Sequence, residues 1–265
     1  AAKIESGLAD LVIAGGFESS STQPFRMWNP NHPDYQEGKS YTVAKFIPDI
    51  QGEQVMLEGA EKTALTENVT KAEMDPWVLL SHKRAAQAAK EGILSDIQFS
   101  IADSKKDEGI RPSMSQRLLD RLPCLLPGGS IITAANACLM HDGAAFVVLC
   151  SEAYRKKHGL TPQAAFRFGT AIGSDPFMSP KTAVLAIRKL LKQTALSIDE
   201  IYSLEVNEAF AVIDVLLERE FPGIRERLNP LGGALAYGHP YGASGAIILL
   251  HLLKDLELNQ GRFGI

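Results

Sequence analysis

Short apolar runs closed by glycine or asparagine alternate with helix-forming stretches along this chain, and that rhythm restricts what it can fold into more than any other feature. Leu11 to Ala14 ends on Gly15-Gly16, Ser130 to Thr133 and Ala144 to Leu149 flank the polar turn Asn136 to Gly143, and Phe166 to Ile172 and Ile201 to Val206 follow. Runs of this length and composition suit buried strands. The helix patterns between them are Ala1 to Ser6 with Gly7 as a stop, Glu58 to Glu67, Asp75 to Glu91, Lys181 to Gln193, Glu208 to Arg219 and Gly242 to Leu256. Asp75 and Pro76 stand in N-cap and first-turn positions, and Gly92 closes that helix. Val184, Ile187 and Leu191 share one face of their helix, and Ala243, Ile247 and Leu250 one face of the last. His82, on an alanine-rich helix, is expected at a solvated surface. Strands alternating with amphipathic helices predict parallel βαβ units and a layered α/β fold.

Gln23 to Met56 breaks the rhythm with Pro, Asn, His, Tyr and Gly, which predicts a long loop of the kind that carries function. Tyr154 to Thr161, with Arg155, Lys156, Lys157 and His158, is the candidate domain boundary. With 27 Lys+Arg against 31 Asp+Glu the chain has no basic field for a nucleic-acid partner. No apolar run approaches the roughly 20 residues needed to cross a bilayer, so no membrane partner is expected. Cys124, Cys138 and Cys150 lack the pairing or CxxC spacing of a disulfide framework or zinc site, which points to a reducing cytoplasm and no metal. No GxGxxG follows a strand, and GxxxxGK[ST] and GxSxG are absent, which argues against nicotinamide, ATP and serine-hydrolase chemistry.

The chemistry gathers in two places. In Asn229 to Gly245, NPLGGALAYGHPYGASG, five glycines surround His239, which is bracketed by Gly238 and Pro240. Small residues let backbone and ligand approach closely, and Gly242, Ser244 and Gly245 open a helix whose N-terminus favours negative charge. A neutral imidazole there can take a proton from a thiol or donate to an oxyanion, and the same residues can also make a tight structural turn. Upstream, Glu205 to Phe210 puts Asn207 at the carboxyl end of a strand pattern, the edge where open α/β sheets place their sites. Asn207 could equally cap a helix, and Glu208 could be a first-turn acid on the helix dipole.

The ordered motifs resemble those of thiolases. Ala14 to Ser19 is similar to their AGG-x-ES run, Asp107-Glu108 with Arg111 to DE-x-x-R, and Thr133 to Asn136 through Asp142 to Ala145 to TA-x-NAS-x-x-x-DGAA. Asn207 to Phe210 resembles NEAF, and Gly232 to Ala234 through Gly238 to Pro240 resembles GGA…GHP. The resemblance implies a thiolase-like layered fold, α/β/α/β/α, with residues 1–24 and 130–158 in an incomplete N-terminal half, 25–129 as a loop domain over CoA, and 159–265 as a nearly complete C-terminal half. It implies acyl transfer between 3-ketoacyl-CoA and CoA, or the reverse condensation of acetyl-CoA, in fatty acid metabolism. Coenzyme A is then a substrate, no cofactor is bound covalently, and a homodimer or homotetramer is expected. By the same resemblance His239 activates a cysteine nucleophile and polarises a thioester oxygen, and Asn207 holds a water of an oxyanion site. Arg111 falls at the adenine end of CoA and Cys138 near pantetheine, with Met178, Ser244 and Phe210 among the substrate-binding positions.

Four departures qualify this. Cys138 stands where the family has serine and reads as a buried inert thiol, and His141 replaces the asparagine before Asp142-Gly143. Ser179 to Thr182 lacks the usual Gly-x-Gly-Pro form, and Phe25 stands where acetoacetyl-specific members have histidine. The N-terminus has no basic signal-peptide region and reads like the middle of a domain. The family's nucleophilic cysteine and its CxG cysteine fall before Ala1 and after Ile265, so this polypeptide alone is expected not to turn over. A non-catalytic CoA-binding or assembly protein derived from a thiolase is the competing expectation. A ketoacyl-synthase-like condensing enzyme ranks lower, since those carry histidine where this chain has Asn207.

Overall fold

The computed structural model describes residues 1–41, 55–101 and 106–265. Parts of the expected loop, 42–54 and 102–105, therefore lie outside the described residues. Strands β1 (Leu11–Glu18) and β2 (Gly143–Cys150) pair antiparallel, in register from Leu11 opposite Cys150 to Glu18 opposite Gly143. The helices are α1 (Ala2–Glu5), α2 (Val55–Thr66), α3 (Lys71–Glu91), α4 (Gln116–Leu119), α5 (Glu152–His158), α6 (Thr182–Thr194), α7 (Val212–Glu220), α8 (Ala234–Tyr237) and α9 (Ser244–Asn259).

β1 runs through Gly15-Gly16 instead of stopping there. Its alternation puts Leu11, Ile13 and Phe17 on one face with Phe146 and Val148 of β2, an apolar surface left exposed. On the other face a Cβ at Gly16 would stand 2.2 Å from the Gly242 carbonyl, and one at Gly242 would stand 2.2 Å from that of Phe17. Two glycines thus let β1 lie directly on the loop that precedes α9.

The α3 helix begins at Lys71, four residues before the Asp75-Pro76 signal. Thr70 and Glu73 form a reciprocal capping box, which satisfies two end N–H groups, so the helix starts there and Pro76 lies inside it. Gly92, at φ +66°, ends it in the left-handed conformation. The candidate boundary at Tyr154 to Thr161 is largely helix, since Ser151 caps α5 and Gly159 closes it. On α6 the expected face is buried through Val184 and Ile187. On α9 the inward face carries Ser244, His251, Leu252 and Asp255, while Ile247 and Leu250 are only half-buried. The main core lies between α3, α7 and the segment before Asn207, around Met74, Trp77, Ile201, Leu204, Leu217 and Leu228.

Three strand expectations change. The Ile201 to Val206 segment is extended but pairs only through isolated bridges to two distant segments: in parallel to Gly264 through Ser203 and to Leu228 through Leu204. Phe166 to Ile172 forms no ladder among the described residues, and Phe166 and Phe168 are exposed. A strand needs partners for its main-chain groups, and an apolar pattern alone does not supply them. The main-chain N–H groups of Ser130, Ile131 and Ile132 go to the Glu61 carboxylate on α2 in place of a sheet neighbour.

Candidate active site

The segment 207–211 is held as a loop, not as the start of a helix. Cys138 N–H donates to the Ala209 carbonyl at 2.9 Å and Ala211 N–H to that of Asn136 at 2.9 Å. These bonds delay α7 until Val212, so Asn207 caps no helix and Glu208 lies in no first turn. Behind Asn207, the Asn229 side chain clamps Val206 on both sides, accepting from its N–H (2.8 Å) and donating to its carbonyl (3.0 Å). Asn136 braces the neighbouring loop in the same manner, accepting from Thr133 N–H and donating to the Ile131 carbonyl.

His239 is fixed from both ring nitrogens. Its main-chain N–H donates to the Leu139 carbonyl at 2.7 Å. Nδ1 lies 2.6 Å from Ser244 Oγ, and Nε2 lies 3.2 Å from Asn207 Nδ2. The Ser244 hydroxyl donates its single hydrogen to the Pro240 carbonyl at 2.9 Å. It can then only accept from the imidazole, which assigns the proton to Nδ1 and leaves Nε2 unprotonated, its lone pair accepting from the Asn207 amide. Burial lowers the His239 pKa from its ordinary value, keeping the ring neutral and basic at Nε2. The Tyr241 ring packs edge-on against it at 4.7 Å. Asn207 Oδ1 is buried and accepts no hydrogen bond among the described residues.

The motifs converge on this pair. Ser21 donates its N–H (2.8 Å) and its hydroxyl to the Asp142 carboxylate, and Ser20 Oγ donates to the His141 carbonyl at 3.2 Å, so the end of β1 is tied to the start of β2. These bonds from Ser21 hold the Asp142 carboxyl below the usual range. The His141 ring lies where a Cβ on Gly238 would be, 2.6 Å away. The 107–111 loop backs onto α8, since a Cβ at Gly109 would stand 2.5 Å from the Ala236 carbonyl.

Of the expected site residues, His239, Asn207 and Ser244 are in direct contact. Cys138 adjoins them through the main chain of Leu139, and its thiol is pushed up to about 12 by burial and by the Glu208 charge. Phe210 is buried in the main core, and Met178 is held against α2, its sulfur 3.7 Å from the Thr63 hydroxyl oxygen. Arg111 lines a cavity of about 640 Å³ with His82, Lys83 and Lys90. His82 is not solvated: only 4% exposed, its Nδ1 accepts the Arg111 N–H at 3.2 Å. Burial, then the Arg111 charge, lowers its pKa to about 4. An alanine-rich helix face gave no warning, because the 106–115 loop that covers His82 comes from elsewhere in the chain. Ser81, Glu61 and Asn229 carry support that the sequence did not disclose. Only Asn229 had a local signal, an Asn-Pro turn at φ +46°.

The architecture and site are those of a layered α/β protein with a base held on a glycine-rich loop against an asparagine amide. Residues 1–153 match the family Thiolase, N-terminal domain, and residues 160–265 match Thiolase, C-terminal domain. The chain belongs to the thiolase family. It is 32% identical to a β-ketoadipyl-CoA thiolase of Escherichia coli over 99% of its own length and 70% of that protein's, and 33% identical to a steroid 3-ketoacyl-CoA thiolase of Mycobacterium tuberculosis over 99% and 65%. The fold superposes on human mitochondrial 3-ketoacyl-CoA thiolase in complex with CoA at a TM-score of 0.89, with 30% identity, covering 99% of this chain and 68% of that one. These matches bear out the thiolase-like α/β fold. No described helix is long and apolar enough to cross a membrane.

Proposed function

We propose that this chain carries the base and amide half of a thiolase site, acting in acyl transfer between a 3-ketoacyl-CoA and CoA. The observation that carries the reading is the assigned tautomer of His239, whose unprotonated Nε2 accepts from the Asn207 amide while Ser244 holds Nδ1. In this reading Nε2 takes the proton of a cysteine thiol, and the thiolate attacks the keto carbon. The carbon–carbon bond breaks, acetyl-CoA leaves after protonation of its enolate, and the thiol of free CoA then takes the acyl group. Asn207 holds a water that donates to the developing oxyanion. CoA lies with its nucleotide toward the cavity of Arg111, Lys83 and Lys90, whose charges suit its phosphates.

The nucleophile in this proposal is none of Cys124, Cys138 and Cys150. Cys138 is the one beside the site, and a thiol raised to about 12 forms almost no thiolate at neutral pH. The same observation favours a second reading, a thiolase-derived protein that binds CoA without turnover. A reducing cytoplasm and a homodimer or homotetramer complete the proposal; three unpaired thiols support the first. Calorimetric titration with CoA and a thiolysis assay with acetoacetyl-CoA test it together. The 265-residue polypeptide is expected to bind CoA and not to turn over. Turnover at the rate of an ordinary thiolase would overturn the assignment of the nucleophile, and absence of binding would overturn the CoA site.

A further inference from the structure

Glu208 follows Asn207 directly, and its carboxyl is buried among α3, α8 and the glycine-rich loop. Its Oε2 accepts from the Ser81 hydroxyl on α3 at 2.6 Å and from the Leu235 N–H at 3.4 Å. The same Ser81 oxygen accepts the Gly233 N–H at 3.0 Å. His239 lies four residues beyond Leu235, so one carboxyl and one hydroxyl join the segment that ends in Asn207 to the segment that ends in His239. The fit leaves no slack: a Cβ at Gly233 would stand 2.4 Å from Oε2. Asn229, Arg84, Glu205, Asp214 and Cys138 also lie around this carboxyl, whose pKa is raised by burial against its hydrogen bonds from Ser81 and Asn229.

We propose that Glu208, fixed by Ser81, is a positioning residue that sets the Asn207 amide against the His239 imidazole. The inference rests on the reading of His239 and Asn207 as the working pair. It differs from a general contribution to stability, because what the ring itself loses with the relay is the Asn207 amide, while the bonds to Gly233 and Leu235 hold only the main chain of the glycine-rich loop.

The test is the titration of His239, read from ring ¹⁵N signals of histidine-labelled protein and assigned with His239→Gln. The amide donates to Nε2 and so favours the neutral ring; Asn207→Ala is expected to raise the His239 pKa by roughly half a unit to one unit. Ser81→Ala and Glu208→Gln, which weaken the relay in two ways, are expected to raise it in the same direction. The Asn207→Ala/Ser81→Ala double variant is expected to shift it no further than Asn207→Ala alone. If Asn207→Ala moves His239 while both relay variants keep the wild-type titration, or if the double variant is additive, the positioning role is overturned. If Asn207→Ala itself leaves His239 unmoved, it is the pair reading that fails.

Discussion

Replacing Glu61 by alanine should be among the most damaging single changes in this protein, although Glu61 lies on α2 and touches no proposed substrate. Its carboxylate accepts four hydrogen bonds: from the N–H of Ser130 at 2.6 Å, of Ile131 at 3.1 Å and of Ile132 at 2.9 Å, and from the Ser130 hydroxyl at 3.0 Å. Burial alone would raise its pKa, but the bonds from Ser130, Ile132 and Ile131 outweigh that and leave it lowered. The carboxylate is therefore fully ionised at pH 7, and its contribution is lost only as pH falls through the lowered folded value. Ile132 is completely buried, so its N–H would be left without a partner at a cost of about 1–3 kcal/mol. Ser130 is exposed and Ile131 half-buried, and water recovers part of their loss. Together the loss should be roughly 3–5 kcal/mol for Glu61→Ala. Glu61→Gln should lose about 1–3 kcal/mol, because one amide oxygen can keep the bonds made by Oε1 while the NH₂ group faces the Ile132 donor. Urea unfolding at pH 7, followed by far-ultraviolet circular dichroism, measures both. A Glu61→Ala midpoint within about 1 kcal/mol of the parent would refute the reasoning, because it would mean the three N–H groups find equal partners elsewhere.

Gly233→Ala should lower the melting temperature by several degrees, since its Cβ would stand 2.4 Å from the Glu208 carboxyl and overpacking of this kind costs about 1–3 kcal/mol; an unchanged melt counts against the packing described. His82 and His251 are both held neutral by burial, with pKa values of about 4. The unfolded chain, titrating near the ordinary 6.5, then binds more protons between those values. Stability should fall as pH drops from about 6.5 toward 4, and His82→Gln/His251→Gln should flatten that slope; parallel slopes would contradict it. Arg111→Ala should weaken CoA binding about tenfold and reduce its salt dependence, measured by calorimetry at two ionic strengths. An unchanged dissociation constant would remove Arg111 from the CoA site.

What was legible in the sequence was local. Capping and stop residues sit beside the turns they close, so most helices could be placed from Gly, Ser and apolar spacing. Thr70 and Glu73 show the limit even there: a complete capping box outcompetes Asp75-Pro76 and moves the start of α3. Asn207 and His239 were legible as chemistry, and the family resemblance supplied their pairing across 32 residues. The supports were not legible, because each depends on a distant partner. Glu61 meets its donors 69 to 71 residues away, and Ser81 meets Glu208 127 residues away. No periodicity marks such pairs. His82 was misread for the same reason, and Phe166 to Ile172 had a strand composition without a described strand to pair with.

A single helix brings these distant bonds together. Within one stretch of α3, Ser81 holds Glu208 and Gly233, His82 holds the Arg111 N–H, and Arg84 donates to the carbonyls of Arg225 and Leu228. Ala85 lies where a Cβ on Gly232 would be, 2.7 Å away. Consecutive residues on a helix are separated by about 1.5 Å of rise, so the spacing between the Arg111 loop, the Asn207 loop and the glycine-rich loop is fixed by a rigid element and not by the loops themselves. A ligand reaching from the basic cavity to His239 would find both ends referenced to the same helix. Loops short of apolar contacts are ordinarily the least stable parts of a fold, and here each is anchored by a polar bond to α3. The cost of removing one of those bonds is therefore expected in two measurements at once, the unfolding midpoint and the environment of His239.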